Sequence, residues 1–210
     1  MIVGICGNAG SGKDTAADIL IAKHGFVRVA FADVMKRFCH EVFDFTVDQL
    51  WGPSESRNRP DDRYKRSNGE PLTPRHALQQ LGTNWGRECF PDVWINYAIR
   101  ISNRLALGGC RYEATYGIVS DTGASPTNVV VSDCRFANEV TAIKRSGGKV
   151  ARIHRPAFDN VPAVSQHVSE TELNEIPMHE FDWFLDNSGT LESLERNVDF
   201  FVQQCVRVPG

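Results

Sequence analysis

The chain lacks several features that would assign it to whole classes of protein. No apolar run approaches the ~20 residues that a membrane-spanning helix needs, and the N-terminal MIVGIC leads directly into glycines instead of a signal-peptide cleavage site. The six cysteines form no C-x-x-C pair and no Cys/His cluster with zinc spacing, so we expect buried, reduced thiols. These absences predict a soluble protein of the cytoplasm.

The chain also lacks a strong excess of either charge. It carries 23 Lys and Arg residues against 26 Asp and Glu residues, which gives a net charge of −3 and a pI near 6.1. Because this balance offers no overall attraction to polyanions, we expect neither nucleic acid nor a membrane as a partner. An anionic ligand must therefore be held by a local group of basic residues.

Short apolar runs alternate with helical patterns along the chain. Five runs predict buried strands: residues 2–6, 26–31, 129–133, 149–155 and 182–187. The alternation predicts an α/β fold in which helices cover both faces of a parallel sheet. The polar residues 52–72 predict a loop or a mobile excursion, and residues 110–128 predict an irregular insertion or a hairpin. With 210 residues and no internal repeat or linker, we expect one domain over residues 1–210.

The stretch GICGNAGSGKDT, residues 4–15, contains a glycine-rich phosphate loop. Gly7, Gly12 and Lys13 match the pattern G-x-x-x-x-G-K between a predicted strand and a predicted helix. In such a loop the glycines let backbone N–H groups wrap a phosphate chain, and the lysine bridges the β- and γ-phosphates. The residues predicted to bind nucleotide phosphates are Gly7, Gly10, Ser11, Gly12, Lys13, Asp14 and Thr15.

The metal position of this loop is unusual. Where the pattern has Ser or Thr to bind magnesium, the chain has Asp14, and Thr15 follows one residue later. Carboxylate oxygens suit Mg²⁺, so Asp14 is either on the magnesium side of the site or an acidic residue favoured by the helix dipole. Asp133, at the end of the strand VVVSD, is the second acid predicted to hold Mg²⁺.

Polar and basic residues predict the rest of a phosphoryl-transfer site. Four of them recur every four positions in the predicted helix 73–90: Arg75, Gln79, Thr83 and Arg87. On a regular α-helix they form one slanted stripe, which either holds a phosphate monoester and a base edge or is a solvated face. Three further arginines are predicted to stabilise the transferring phosphoryl group. Arg135 follows the third predicted strand, and Arg152 and Arg155 lie at the end of the fourth.

Four segments together resemble the deoxynucleoside monophosphate kinases of tailed bacteriophages: GSGKDTAAD, LTPRHALQQLGTNWGRECFPDVWI, SDCRFANEV and HVSETEL. The resemblance implies an adenylate-kinase-like P-loop fold with a five-stranded parallel sheet of order 2-3-1-4-5. It implies a mobile acceptor-binding region over about 46–108 and a short lid over about 155–177. It also implies Mg²⁺-dependent transfer of the ATP γ-phosphate to a deoxynucleoside 5′-monophosphate, which supplies precursors for phage DNA in the host cytoplasm.

The resemblance also assigns residues. Asn187 and Gly189 fall on the loop that surrounds adenine, and Asp133 with Arg135 falls on a D-x-R-F motif on the acceptor side. Three residues of the polar stripe fall in the acceptor region: Arg75, Gln79 and Arg87. The family further implies a homodimer.

Two other functions stay open at this point. One is a kinase for phosphomevalonate or dephospho-coenzyme A, because a phosphomevalonate kinase family shares the Asp-for-Ser change; an amide at Gln79 instead suits a base edge. The other is a nucleotide-dependent binding module without turnover. The segment LDNSG, residues 185–189, does not supply the N-K-x-D signature of a G protein, which argues against that module.

Overall fold

The structure is a computed structural model that describes residues 1–156 and 168–205. The strands of this part are β1 (Ile2–Cys6), β2 (Val27–Arg28), β3 (Asp61–Lys65), β4 (Pro71–Leu72), β5 (Cys110–Glu113), β6 (Gly117–Ser120), β7 (Val129–Cys134), β8 (Lys149–His154) and β9 (Trp183–Asp186). Its α-helices are α1 (Lys13–His24), α2 (Asp33–Phe43), α3 (Val47–Trp51), α4 (Ser54–Asn58), α5 (Pro74–Gln79), α6 (Val93–Leu107), α7 (Ala137–Arg145), α8 (Val168–Glu175) and α9 (Leu191–Cys205).

The five predicted strands form one parallel sheet in the order β2-β7-β1-β8-β9. Counted as the first to fifth predicted strands, this is the order 2-3-1-4-5, so the predicted α/β fold and its topology are confirmed. The central strand β1 is buried along its whole length because it has a neighbour on each side and helices above and below. The second strand is shorter than expected: only Val27–Arg28 is a strand, since the chain turns at Ala30 into α2.

Helices cover both faces of this sheet. On one face, α1 and α9 pack side chains such as Leu20 and Phe201 against Ile5 of the central strand. On the other face, α6 and α7 contribute Ile101 and Ile143 to a second buried cluster. Because both faces are covered, the loops at the carboxyl ends of the strands are the part of the sheet that remains open to ligands.

The prediction of a loop over residues 52–72 is wrong. The segment contains α4 and the antiparallel pair β3–β4, and α3 precedes it behind a capping box formed by Thr46 and Gln49. The buried Asp61 carboxylate accepts a bond from Arg63 Nε at 2.9 Å, which holds the pKa of Asp61 well below its ordinary value. Arg63 also pairs with Asp44 at 2.8 Å, so this arginine joins β3 to the end of α2.

The predicted helix 73–90 changes character part-way. It is an α-helix up to Gln79 and a π-helix over Gln80–Arg87, where the wider turns follow i→i+5 hydrogen bonds. Gly82 and Gly86 allow this, because the Trp94 indole donates to the Gly82 carbonyl at 2.9 Å and occupies the space of a Gly86 side chain. Arg75 and Arg87 have different partners, Asn58 and Glu139, and a shared binding stripe of Arg75, Gln79, Thr83 and Arg87 stays a prediction.

Residues 110–120 form the hairpin that was one of two expectations for this insertion. Tyr112 pairs with Ile118 across β5–β6, and Gly117 turns the chain at a positive φ of 85°. Within residues 1–156 and 168–205, no helix combines the length and the apolar character needed to cross a bilayer. The central part of the predicted lid, residues 157–167, lies outside the described residues.

Candidate active site

The phosphate loop lies between β1 and α1, at the carboxyl edge of the sheet. Gly10 and Gly12 have φ angles of 76° and 96°, which other residues adopt only with strain. A side chain at Gly7 would overlap Ile153 and the Ser11 hydroxyl. The glycines of the motif are therefore required by the backbone, as expected for a loop that turns tightly around a phosphate chain.

Two polar groups of the loop fit an anion. The Ser11 Oγ is buried without a hydrogen-bond partner among the described residues, and the Lys13 side chain is buried at the first turn of α1. No carboxylate in that part of the chain forms an ion pair with Lys13. A buried ammonium and an unpaired hydroxyl at a helix N-terminus are stabilised when a phosphate occupies the loop.

Two predicted site residues lie directly against this loop. The Asn187 Nδ2 donates to the Ser11 carbonyl at 2.8 Å, and Arg155 Nη1 donates to the Gly10 carbonyl at 3.4 Å. Asn187 thus supports the loop backbone, while its role next to adenine, with Gly189, stays a prediction. The position of Arg155 beside the loop is compatible with a contact to a bound phosphate.

The predicted magnesium ligands come from two elements. Asp14 and Thr15 are exposed in the first turn of α1. Asp133 is the last but one residue of β7 and lies beside the start of the loop, because the next residue, Cys134, pairs with Cys6. Among the described residues no cluster of three metal-ligating side chains occurs. Mg²⁺ bound with nucleotide phosphates uses only one or two protein carboxylates, so Asp14 and Asp133 are sufficient in number and chemistry.

The D-x-R-F turn after β7 is held by a buried carboxylate. Glu139 is 2% exposed and accepts bonds from the backbone N–H groups of Arg135 at 2.7 Å and Phe136 at 3.2 Å. Its other oxygen pairs with Arg87 at 3.1 Å, and the Arg87 guanidinium stacks on the Phe136 ring at 3.9 Å. Burial raises the pKa of Glu139 to about 7, although the N–H groups and Arg87 act in the other direction. Arg135 Nε in turn donates to Asp133 at 2.7 Å, so this turn fixes both.

A group of cations that we call the acceptor cluster, Lys36, Arg57 and Arg75, gathers in the segment between β2 and the π-helix. Burial is the main cause that lowers the pKa of Lys36, and the nearby charge of Arg57 lowers it further. Burial likewise lowers the pKa of Arg57, and the charge of Arg75 adds to this effect. Lys36 sits over the Trp51 ring at 5.6 Å, and Arg75 Nε donates to Asn58. None of the three has a carboxylate ion pair within the described residues, which favours binding of an anion.

One member of the acceptor cluster, Lys36, lies near the D-x-R-F turn. Asp133 is among the carboxylates that raise the pKa of Lys36, so the lysine lies near the end of β7. Sequence reasoning missed Lys36, because no pattern distinguishes it from the other charged residues of α2, and it did not separate Arg57 from the other charged residues of 52–72. Arg75 is the member of the cluster that the sequence predicted.

Comparison with known proteins gives the family. The chain is 33% identical over 192 residues, 91% of each chain, to a protein of Acanthamoeba polyphaga mimivirus named "Putative deoxynucleotide monophosphate kinase". The chain belongs to the deoxynucleotide monophosphate kinase family. It is therefore a phosphotransferase with a nucleotide-binding P-loop, while the phage origin implied by the sequence resemblance stays a prediction. Searched against protein-family models, this kinase matches none.

Solved structures similar to this kinase have low identity to it. TT1252 from Thermus thermophilus is 18% identical with a TM-score of 0.45, over 99% of this chain and 98% of that one. A dephospho-CoA kinase from Campylobacter jejuni is 12% identical with a TM-score of 0.41, over 97% of this chain and 96% of its own. Scores in this range do not bear on the activity of this kinase.

Four predicted residues of the kinase do not join the acceptor cluster or the phosphate loop. Arg152 donates to Asn174 at 2.8 Å and lies over the Phe181 ring at 5.4 Å, so its contacts are with the α8 side. Gln79 and Thr83 are exposed, on α5 and on the π-helix. Arg87 is committed to Glu139. Direct roles for these residues at a substrate stay predictions.

A separate cavity of about 360 Å³ opens between α2, the π-helix and α6. Its lining is apolar: Val34, Met35, Phe38, Leu81, Trp85 and Trp94. Because no charged side chain lines it, this cavity does not provide contacts for the phosphate of a substrate.

Proposed function

We propose that this kinase transfers the γ-phosphate of ATP, with Mg²⁺, to the 5′-phosphate of a deoxynucleoside monophosphate. The observation that carries the proposal is the acceptor cluster: Lys36, Arg57 and Arg75 have no carboxylate ion pair in the described residues, and Lys36 lies near Asp133. A phosphoryl acceptor that is itself a phosphate monoester needs a second anion site beside the phosphate loop. The name of the mimivirus relative supports a deoxynucleotide as this acceptor.

The donor side is assigned to the loop. Lys13, Ser11 and the loop N–H groups hold the ATP phosphates, and the support of Asn187 keeps the Ser11 carbonyl turned away from them. Mg²⁺, when bound, neutralises phosphate charge, and Asp14 or Thr15 together with Asp133 would hold it directly or through water.

The acceptor side works by position and charge. The acceptor oxygen belongs to a phosphate that is already ionised, so no strong general base is required, and Lys36, Arg57 and Arg75 orient it. Arg135, held on Asp133, and Arg155, beside Gly10, stabilise the transferring phosphoryl group. The proposed setting is the cytoplasm, with free nucleotides as substrates and a homodimer as the assembly.

The test is ADP release with Mg·ATP across a panel of acceptors. The panel contains dTMP, dGMP, dCMP, dAMP, 5-hydroxymethyl-dCMP, phosphomevalonate and dephospho-coenzyme A. We expect turnover with one or more deoxynucleotides, and its loss in Lys13→Ala. Turnover with phosphomevalonate or dephospho-coenzyme A alone would show that the acceptor is not a deoxynucleotide. ATP binding without turnover on any acceptor would favour a binding module.

One variant isolates the acceptor cluster. Arg75→Ala removes a cation without touching the phosphate loop, so we expect the acceptor KM to rise about tenfold or more while the ATP KM is unchanged. Arg59→Ala is the matched control, because Arg59 is exposed in the same segment. Equal kinetics of the two variants would remove Arg75 from the site.

A further inference from the structure

The β5–β6 hairpin, an insertion without an assigned role, contacts the start of α2 through one buried side chain. Tyr112 is 9% exposed, and its hydroxyl donates to Asp33 Oδ2 at 3.0 Å. The same hydroxyl accepts a bond from Arg37 Nη1 at 3.3 Å, and this nitrogen also donates to the carbonyl of Ala114 at 2.7 Å. The hairpin is thus tied to both sides of the first turn of α2.

Asp33 connects the hairpin to the acceptor region. Its carboxylate is 4% exposed and accepts a second bond at Oδ2 from the Ala30 backbone N–H at 3.1 Å. Its Oδ1 accepts the indole N–H of Trp51 at 3.3 Å. A buried carboxylate needs all of these donors, so removing one leaves its position less well determined.

Trp51 and Asp33 together define the surroundings of Lys36. The indole ring lies 5.6 Å from Lys36 Nζ, and Asp33 is one helical turn before the lysine on α2. The contacts therefore run without a gap from Tyr112 through Asp33 to Trp51 and Lys36. Each link is a hydrogen bond or a ring contact between side chains of different elements. Asp33 and Lys36 are in addition connected by α2, which carries both.

We propose that Tyr112 is a positioning residue for the phosphoryl acceptor: the hairpin holds Asp33, and through it the Trp51 indole on which Lys36 rests. The inference depends on the proposed function, because it assigns Lys36 to the acceptor phosphate. It gives the insertion a role in substrate recognition without any contact to the substrate.

The test compares Tyr112→Phe with Tyr116→Phe. The first variant removes only the hydroxyl that holds Asp33, and the second removes a hydroxyl from the turn of the same hairpin, where Tyr116 is 77% exposed. For Tyr112→Phe we expect the acceptor KM to rise by about twofold to about tenfold, the range that corresponds to one lost hydrogen bond, with the ATP KM unchanged. Tyr116→Phe should match the wild type in both constants.

A second variant separates positioning from general stability. Trp51→Phe keeps a ring under Lys36 but removes the N–H that Asp33 accepts, so it should raise the acceptor KM in the same way. Because both changes act through Asp33, the double variant should be less impaired than the product of the single effects. Trp51→Phe also carries the test if Tyr112→Phe unfolds.

The outcomes distinguish this inference from the proposed function. A wild-type enzyme without turnover on any deoxynucleotide overturns both. Normal wild-type turnover with an unchanged acceptor KM in Tyr112→Phe overturns the inference alone. So does a result in which Tyr112→Phe raises the KM for ATP and for the acceptor equally, because that is the signature of a merely structural hairpin.

Discussion

Replacing Glu139 by glutamine should remove a contribution to stability that decreases as the pH rises. Most carboxyl groups in folded proteins have the opposite pH dependence. Glu139 is buried under the D-x-R-F turn, and burial raises its pKa to about 7 from an ordinary 4.5 despite the bond from Arg87. The folded protein therefore keeps this proton to a higher pH than the unfolded chain does. Stability from this group is fully present below about pH 4.5 and is lost as the pH rises through about 7.

The size of the effect follows from the two pKa values. Each pKa unit corresponds to about 1.4 kcal/mol, so a rise from 4.5 to about 7 amounts to about 3 kcal/mol over the whole range. Glutamine has no proton to lose, and its side-chain oxygen can still accept from the Arg135 and Phe136 N–H groups. The free energy of unfolding of the wild type, minus that of Glu139→Gln, should therefore decrease with pH.

The assay is urea unfolding followed by tryptophan fluorescence at a series of pH values from about 4.5 to about 8. Glu88→Gln serves as the control, since Glu88 is exposed near the end of the same π-helix that carries Arg87. A difference between the wild type and Glu139→Gln that stays constant or grows with pH would refute this account. The Arg87 pair would then outweigh the burial of the carboxylate.

Two further predictions concern the phosphate loop. Gly12→Ala should weaken ATP binding, measured by calorimetry, without changing the acceptor KM. Alanine at a φ of 96° is strained, and its side chain would overlap Asn187. An unchanged ATP affinity would contradict the loop geometry. Asn187→Ala should lower the affinity for ATP by about twofold to about tenfold, because the bond to the Ser11 carbonyl is lost. Asn197→Ala is the control, since Asn197 on α9 donates a similar amide bond to the Asp186 carbonyl. If ATP binding weakens but GTP binding does not, Asn187 contacts adenine and does not act through the loop.

The sheet and the phosphate loop could be predicted because their signals are local. Runs of apolar residues such as 129–133 define buried strands in any surroundings, and Gly7, Gly12 and Lys13 must stand at fixed spacing around a phosphate chain. The strand order required the family resemblance. It is confirmed by the pairing of β1 with β7 and β8.

The acceptor side could not be predicted in the same way, because its geometry depends on contacts between distant segments. Lys36 lies on α2, and it gains its surroundings only when Trp51, on α3, docks beside it. The π-helix arises because Trp94, on another helix, takes the Gly82 carbonyl.

The central position of β1 has a consequence for the time course of folding. Ile2 pairs with Val129, and Val3 pairs with Lys149, so during synthesis β1 has no partner until the chain has been extended to Val129. Closing such long loops is slow, and an unpaired apolar strand is exposed to aggregation in the meantime. The nucleotide site that the first 15 residues encode therefore assembles late, after β7 and β8 have enclosed the strand that leads into it.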